Sequence, residues 1–223
     1  MTTAPRDVEV PGGRVRTAFD GPPDAPDLLI LAHGAGAGMD LPFMAHFAAG
    51  LGRHGIRVMR FNFLYSEQGR KAPDRGPVLE ETYRRIAGYA QTDLGPKRLF
   101  LGGKSMGGRI ASQIAAGDVA FPAAGLVFLG YPLHPPGRPE RLRDAHLATV
   151  SAPMLFVEGT RDPFCPLETL RRVLERVAAP STVVVVEDGD HSFKVRKSSG
   201  RTAEEALDEA IASVASWITG LGE

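Results

Sequence analysis

The sequence predicts an α/β fold, a three-layer sandwich in which one mostly parallel sheet is flanked by helices. Three observations predict it. From residue 28 onward, short apolar runs alternate with stretches of helical spacing. The apolar runs are unbroken rather than alternating, so both faces of the sheet need cover, and the intervening helices supply it. Ser105, bracketed by glycines, joins one of these runs directly to a helix.

Residues 8–10 and 15–19 flank Pro11-Gly12-Gly13-Arg14 and read as an antiparallel hairpin. Residues 28–32, Leu-Leu-Ile-Leu-Ala, form the first buried strand. Residues 41–54 place Phe43, Phe47 and Leu51 on one helical face, and 56–61 form the next strand, ending at Asn62. Residues 64–77 are polar and carry Gly and Pro, which predicts a loop; 78–92 predict an amphipathic helix. A strand around Leu99 and a helix after Ser105 follow. Then come a strand at 125–129 and a Pro-rich loop from Tyr131 to about Glu140. Strands at 154–157 and 183–186 and helices at about 166–178 and 203–219 complete the alternation. The 223 residues suit a single domain, 1–223, with no internal repeat and no dividing linker. Residues 138–150 can fold over as a short lid but are too short for a full cap domain, which predicts an open pocket.

Lys and Arg total 26 and Asp and Glu total 26, so no global charge favours nucleic acid or an anionic membrane. No apolar run is long enough to span a bilayer. The single cysteine, Cys165, excludes an intrachain disulfide and reads as packing. The first residues, Met1-Thr2-Thr3-Ala4-Pro5-Arg6-Asp7, lack the apolar core of a signal peptide, so a cytoplasmic location is expected.

The chemistry centres on Gly103-Lys104-Ser105-Met106-Gly107. A strand-to-helix turn this sharp strains the central residue and exposes its side chain above the sheet, and flanking glycines allow strand and helix to approach. Ser105 is the candidate nucleophile. His191 lies just beyond the strand at 183–186, on the sheet edge where ligands and catalytic groups collect, and is the candidate base. Asp162 follows the strand at 154–157 and is the candidate acid that orients the imidazole. Capping the next helix is its alternative role, and Asp188, Asp190 and Glu158 compete for the same position. The loop His33-Gly34-Ala35-Gly36-Ala37-Gly38 follows the first buried strand; the N–H groups of Ala35 and Met106 are expected to form an oxyanion hole.

Two other glycine-rich readings fail. The Gly34–38 run lacks the Gly-x-Gly-x-x-Gly spacing of a dinucleotide loop, and a phosphate loop ending at Lys104-Ser105 would need Gly where Arg98 stands. The histidines lack metal-ligand spacing, and no metal or organic cofactor is expected. Lys104 and Arg109 flank the turn and read first as a solvated helix face, with attraction of an anionic substrate as the alternative. His33, Gly34, Asn62, Tyr65, Tyr131 and His134 follow strands on the same edge and are expected to contact a small-molecule acyl substrate.

These motifs, with Phe61-Asn62-Phe63 and Gly130-Tyr131-Pro132-Leu133-His134-Pro135-Pro136-Gly137, resemble the α/β-hydrolases of the small, dienelactone-hydrolase-like kind. The chain is similar to a group related to a testis-expressed hydrolase-like protein and to a subunit of a histone-acetyltransferase complex. The resemblance runs from about residue 28 to the C-terminus. It implies the α/β-hydrolase fold, a sheet of about eight strands or here one fewer, and Ser105, Asp162 and His191 as the triad. Dienelactone hydrolases proper use cysteine where this chain has Ser105, so their substrate does not transfer. The chromatin-complex relative implies an alternative, a non-catalytic scaffold on the same fold.

Overall fold

The computed structural model describes residues 6–117 and 121–221; the segment 1–5, which carries most of the leader reading, lies outside them. Eight strands form one sheet in the order β1-β2-β4-β3-β5-β6-β7-β8. The sheet therefore has its full set of strands rather than one fewer. The antiparallel hairpin β1 (Arg6–Val10) and β2 (Gly13–Asp20) forms one end of the sheet, and β2 pairs antiparallel with β4 (Arg57–Phe61). From β4 onward all neighbours are parallel: β3 (Asp27–Ala32), β5 (Arg98–Lys104), β6 (Gly125–Leu129), β7 (Met154–Gly159) and β8 (Ser181–Val186).

The helices are α1 (Pro42–Arg53), α2 (Leu64–Glu67), α3 (Gly76–Tyr89), α4 (Met106–Ile114), α5 (Leu167–Leu174) and α6 (Ala203–Gly220). Strand alternation sorts the core into two halves. Leu28, Ile30 and Ala32 of β3 pack with Leu79, Tyr83 and Ile86 of α3 and Ile110 of α4. The intervening Leu29 and Leu31 pack with Phe47 and Leu51 of α1 and Ile211 and Val214 of α6. Both faces are covered, which is why the strands read as continuous apolar runs. No helix among the described residues is long and apolar enough to cross a membrane.

Two local expectations need correction. Residues 64–77 contain the short helix α2 as well as loop, because Phe63 initiates a single turn whose Leu64 and Tyr65 are buried. The helix expected at 78–92 starts at Gly76 and gives way to a π-helical turn, Ala90–Leu94, closed by Gly95 in the left-handed region. An apolar stripe carries no information on whether the last turn is α or π.

Candidate active site

Every candidate group leaves the sheet at the C-terminal end of a parallel strand. Ser105 follows β5 and precedes α4, with φ 51° and ψ −116°, a backbone state that costs a non-glycine residue of order 1–3 kcal/mol. Its N–H donates to the Leu129 carbonyl at 3.0 Å and its carbonyl accepts from Arg109 at 3.1 Å, so neighbours on both sides fix the strained turn. The flanking glycines are obligatory. A Cβ on Gly103 or Gly107 would stand 2.6 or 2.4 Å from the Ala32 carbonyl oxygen.

The loop after β8 carries His191 to this serine. Nε2 and the Ser105 hydroxyl are 2.9 Å apart, and Nδ1 lies 2.6 Å from Oδ2 of Asp162, whose side chain is fully buried in the loop after β7. A carboxylate can only accept, so Nδ1 carries the proton and Nε2 faces Ser105 with a free lone pair. The other Asp162 oxygen accepts the Phe164 N–H at 2.8 Å, and the Phe164 ring meets the imidazole edge-on at 4.8 Å. Asp162 thus stands five residues before α5 and turns its own loop rather than capping that helix.

The competing acids are engaged elsewhere. Asp190 accepts the N–H groups of Ser192 and Lys194 and shapes the His191 loop. Asp188 is ion-paired with Arg196 and Arg161, which hold its carboxyl at about 2. Glu158 is buried and accepts the Tyr131 N–H at 2.6 Å; burial and then Asp162 push its carboxyl well above the usual range. Cys165 beside it is buried, and its thiol is pushed up.

Lys104 departs from the expected solvated face. As the last residue of β5 its side chain turns inward, and Nζ donates to the His191 carbonyl at 2.5 Å above the Phe43 ring. Burial pushes its ammonium down to about 8, against the pull of Asp162, Glu158 and Asp190. A cleft of about 540 Å³ opens over Ser105 and His191. Leu41, Phe43, Met44, Leu79, Met106 and Phe164 give it an apolar lining, and Ala35, Lys104, Arg109 and Arg143 also border it. Its size and mixed lining suit a small molecule.

A model of the alpha/beta hydrolase domain matches residues 25–219. This chain belongs to the alpha/beta hydrolase family. Solved structures with the same fold include an alpha-beta serine hydrolase homologue from Coxiella burnetii, at 21% identity and TM-score 0.76 over 96% of this chain and 97% of that one. A dienelactone hydrolase from Anabaena variabilis aligns at 19% identity and TM-score 0.76, covering 97% and 96% of the two chains. A serine hydrolase from Xanthomonas campestris, described as without a lid, aligns at 23% identity and TM-score 0.72 over 94% of each.

Within this alpha/beta hydrolase, several residues expected in the pocket do other work. Gly34 and His134 border the cleft, whereas His33, Asn62, Tyr65 and Tyr131 are buried outside its lining. His33 Nε2 accepts the Phe63 N–H at 3.1 Å, which leaves Nδ1 to donate to the Gly34 carbonyl at 2.8 Å. Burial holds this imidazole below its ordinary pKa. Asn62 accepts the Met39 N–H at 2.7 Å, and the Tyr65 hydroxyl accepts the Gly36 N–H at 3.2 Å. These three side chains shape the loop that presents Ala35, because the polar backbone of a glycine-rich turn needs internal partners. Tyr131 anchors its hydroxyl to Ser112 at 3.0 Å under the floor of the site. The segment 138–150 contributes Arg143 to the cleft border and packs Leu147 into the core, so it is a wall rather than a cover.

Proposed function

We propose that the protein is a serine hydrolase cleaving an ester or related acyl bond of a small molecule. The observation that carries this reading is the Asp162–His191–Ser105 chain, with contacts of 2.6 and 2.9 Å opening onto an apolar cleft. Ser105 Oγ attacks the acyl carbon while His191 Nε2 takes its proton. The tetrahedral oxyanion is held by the N–H groups of Ala35 and Met106. Met106 opens α4, where no earlier carbonyl of the helix can claim its N–H, and the helix dipole adds to the attraction. Collapse breaks the bond to the leaving alkoxide, which takes the proton from His191, and an acyl-serine remains. Water then attacks this ester, gives one proton to His191, and the second collapse returns that proton to Ser105 and releases the acid. Asp162 keeps Nδ1 protonated and stabilises the imidazolium in both halves. Protein groups and water suffice for these steps.

The test is active-site labelling with a fluorophosphonate, with the adduct mapped by mass spectrometry. We expect modification at Ser105, none in Ser105→Ala, and strong suppression in His191→Ala. A folded protein that takes no label would overturn the reading and favour the scaffold alternative.

A further inference from the structure

Two arginines that make no ion pair among the described residues, Arg109 and Arg143, border the cleft. Arg98 is paired with Asp27, Arg60 with Asp20, and Arg176 with Asp144. Arg109, one helical turn after Ser105 on α4, has only a neutral partner: Nη1 donates to the Gln113 amide oxygen at 2.9 Å. Its Nε is buried and makes no hydrogen bond. Arg143 enters from the segment after β6, anchored by its own N–H to the Leu133 carbonyl at 2.7 Å. Among the described residues no carboxylate lies within ion-pair distance of either guanidinium. The cleft's own acid, Asp74, is committed to Arg70 at 2.7 Å.

Partial burial of one cation beside a second is unfavourable, and the Glu80 carboxylate offsets it only from beyond ion-pair distance. Burial, and then the charge of Arg143, depress the pKa of Arg109. An anion placed between the two removes both penalties and satisfies donors that have no partner. A guanidinium presents them in the fork that carboxylates and phosphates match.

We propose that Arg109 and Arg143 form an anion subsite and that the substrate is an acyl ester bearing a carboxylate or similar anionic group. The placement relative to the scissile bond rests on Ser105 as nucleophile. Four residues of helix advance about 6 Å, so the anion and the scissile carbonyl occupy the same cleft one helical turn apart. The apolar lining of Leu41, Phe43, Met44 and Leu79 takes the uncharged remainder.

The test compares three activated esters. 4-Nitrophenyl hydrogen glutarate carries the anion on the acyl side, 4-butyryloxybenzoate carries it on the leaving group, and 4-nitrophenyl butyrate is neutral. After correction for alkaline hydrolysis rates, one anionic ester is expected to exceed the neutral one in kcat/KM, and which one does so identifies the side. Arg109→Gln is expected to lower the anionic-to-neutral ratio about 10- to 100-fold, the worth of one charge-assisted hydrogen bond. Arg143→Gln, at an exposed position, should lower it about threefold, an effect that salt erases. An unchanged ratio in Arg109→Gln would overturn the proposal. Calorimetric binding of both anionic esters to Ser105→Ala needs no turnover. Binding of either that is lost in Ser105→Ala/Arg109→Gln supports the subsite even if the triad is inactive, and binding of neither rejects the subsite whatever the fate of the triad.

Discussion

Among the described residues two serine–histidine pairs have nearly equal length, and only one has the makings of a catalytic pair. Ser105 meets His191 at 2.9 Å, and Ser112, seven residues on along the same helix, meets His146 at 2.8 Å. The distances do not separate them; the protons and surroundings do. Ser112 donates its single proton to the Arg109 carbonyl at 2.7 Å, so toward His146 it can only accept. His146 Nε2 therefore takes no proton from Ser112: it either donates to this serine or accepts from the Tyr131 hydroxyl. Tyr131 also contacts that nitrogen at 3.2 Å, and no carboxylate bonds the ring among the described residues. Burial, and then the Arg109 charge, push His146 down to about 4. His191 instead gives its Nδ1 proton to the buried Asp162, and Ser105 stands at a strained turn open to the cleft. On the proposed reading, the third group and the backbone, not the serine–histidine contact, are what make Ser105 the nucleophile.

Replacing each serine breaks this comparison most directly. Ser105→Ala is expected to lower kcat roughly a million-fold, as loss of a triad serine does elsewhere. Ser112→Ala should leave kcat within threefold but cost about 1–3 kcal/mol of stability, because it strips a partner from the buried Tyr131 hydroxyl and from the half-buried His146 ring. Ester hydrolysis and denaturant unfolding of both variants read this out; comparable kinetic losses would mean the two pairs are not distinct. Asp162→Asn is the next largest. It converts the His191 environment toward that of His146 by offering a donor where a carboxylate stood, and kcat is expected to fall about 10⁴-fold.

The groups that were legible in the sequence are those tied to strand ends. Ser105, Asp162 and His191 each follow an apolar parallel strand by a few residues, so topology alone gathers them on one edge. Side-chain direction was not legible to the same degree. Lys104 beside the glycine turn looked solvated, yet period-two alternation places it with Phe100 on the α1 and α6 side, over the Phe43 ring. His33 and Asn62 sit on the correct edge but spend their polar atoms on the neighbouring loop, which spacing cannot reveal. Arg143 belongs to a Pro-rich stretch without periodicity, so only tertiary structure brings it to the cleft.

Lys104 sharpens the comparison from the side of charge. A cation next to His146 repels its proton, whereas the cation next to His191 bonds its carbonyl and holds its loop. Lys104→Met is expected to lower kcat about tenfold or more with a smaller change in KM, since the imidazole loses a charge-assisted anchor. The pH dependence has a definite sign. The native state binds this proton less tightly than the unfolded chain, at about 8 against 10.5. Between those values the unfolded state holds more protons, so stability rises with pH. Unfolding of wild type relative to Lys104→Met should therefore improve by up to ~3 kcal/mol from pH 8 to 10.5. A constant difference would show that the ammonium is solvated.

The smallest expected effect belongs to the second pair. His146 titrates at about 4 when folded and near 6.5 when unfolded. Within that window the unfolded chain binds the extra proton, so this group's contribution is present above pH 6.5 and is lost as pH falls toward 4. Because the ring is only partly buried, solvent screening trims the loss to about 1–2 kcal/mol. His146→Gln keeps a hydrogen-bonding side chain beside Ser112 and Tyr131 but cannot titrate. Its stability margin relative to wild type should therefore shift in its favour as pH drops from 7 to 4.5, with all other titrating groups common to both proteins. A margin that does not move with pH would mean that His146 accepts a proton in place, and the contrast between the two pairs would then rest on Asp162 alone.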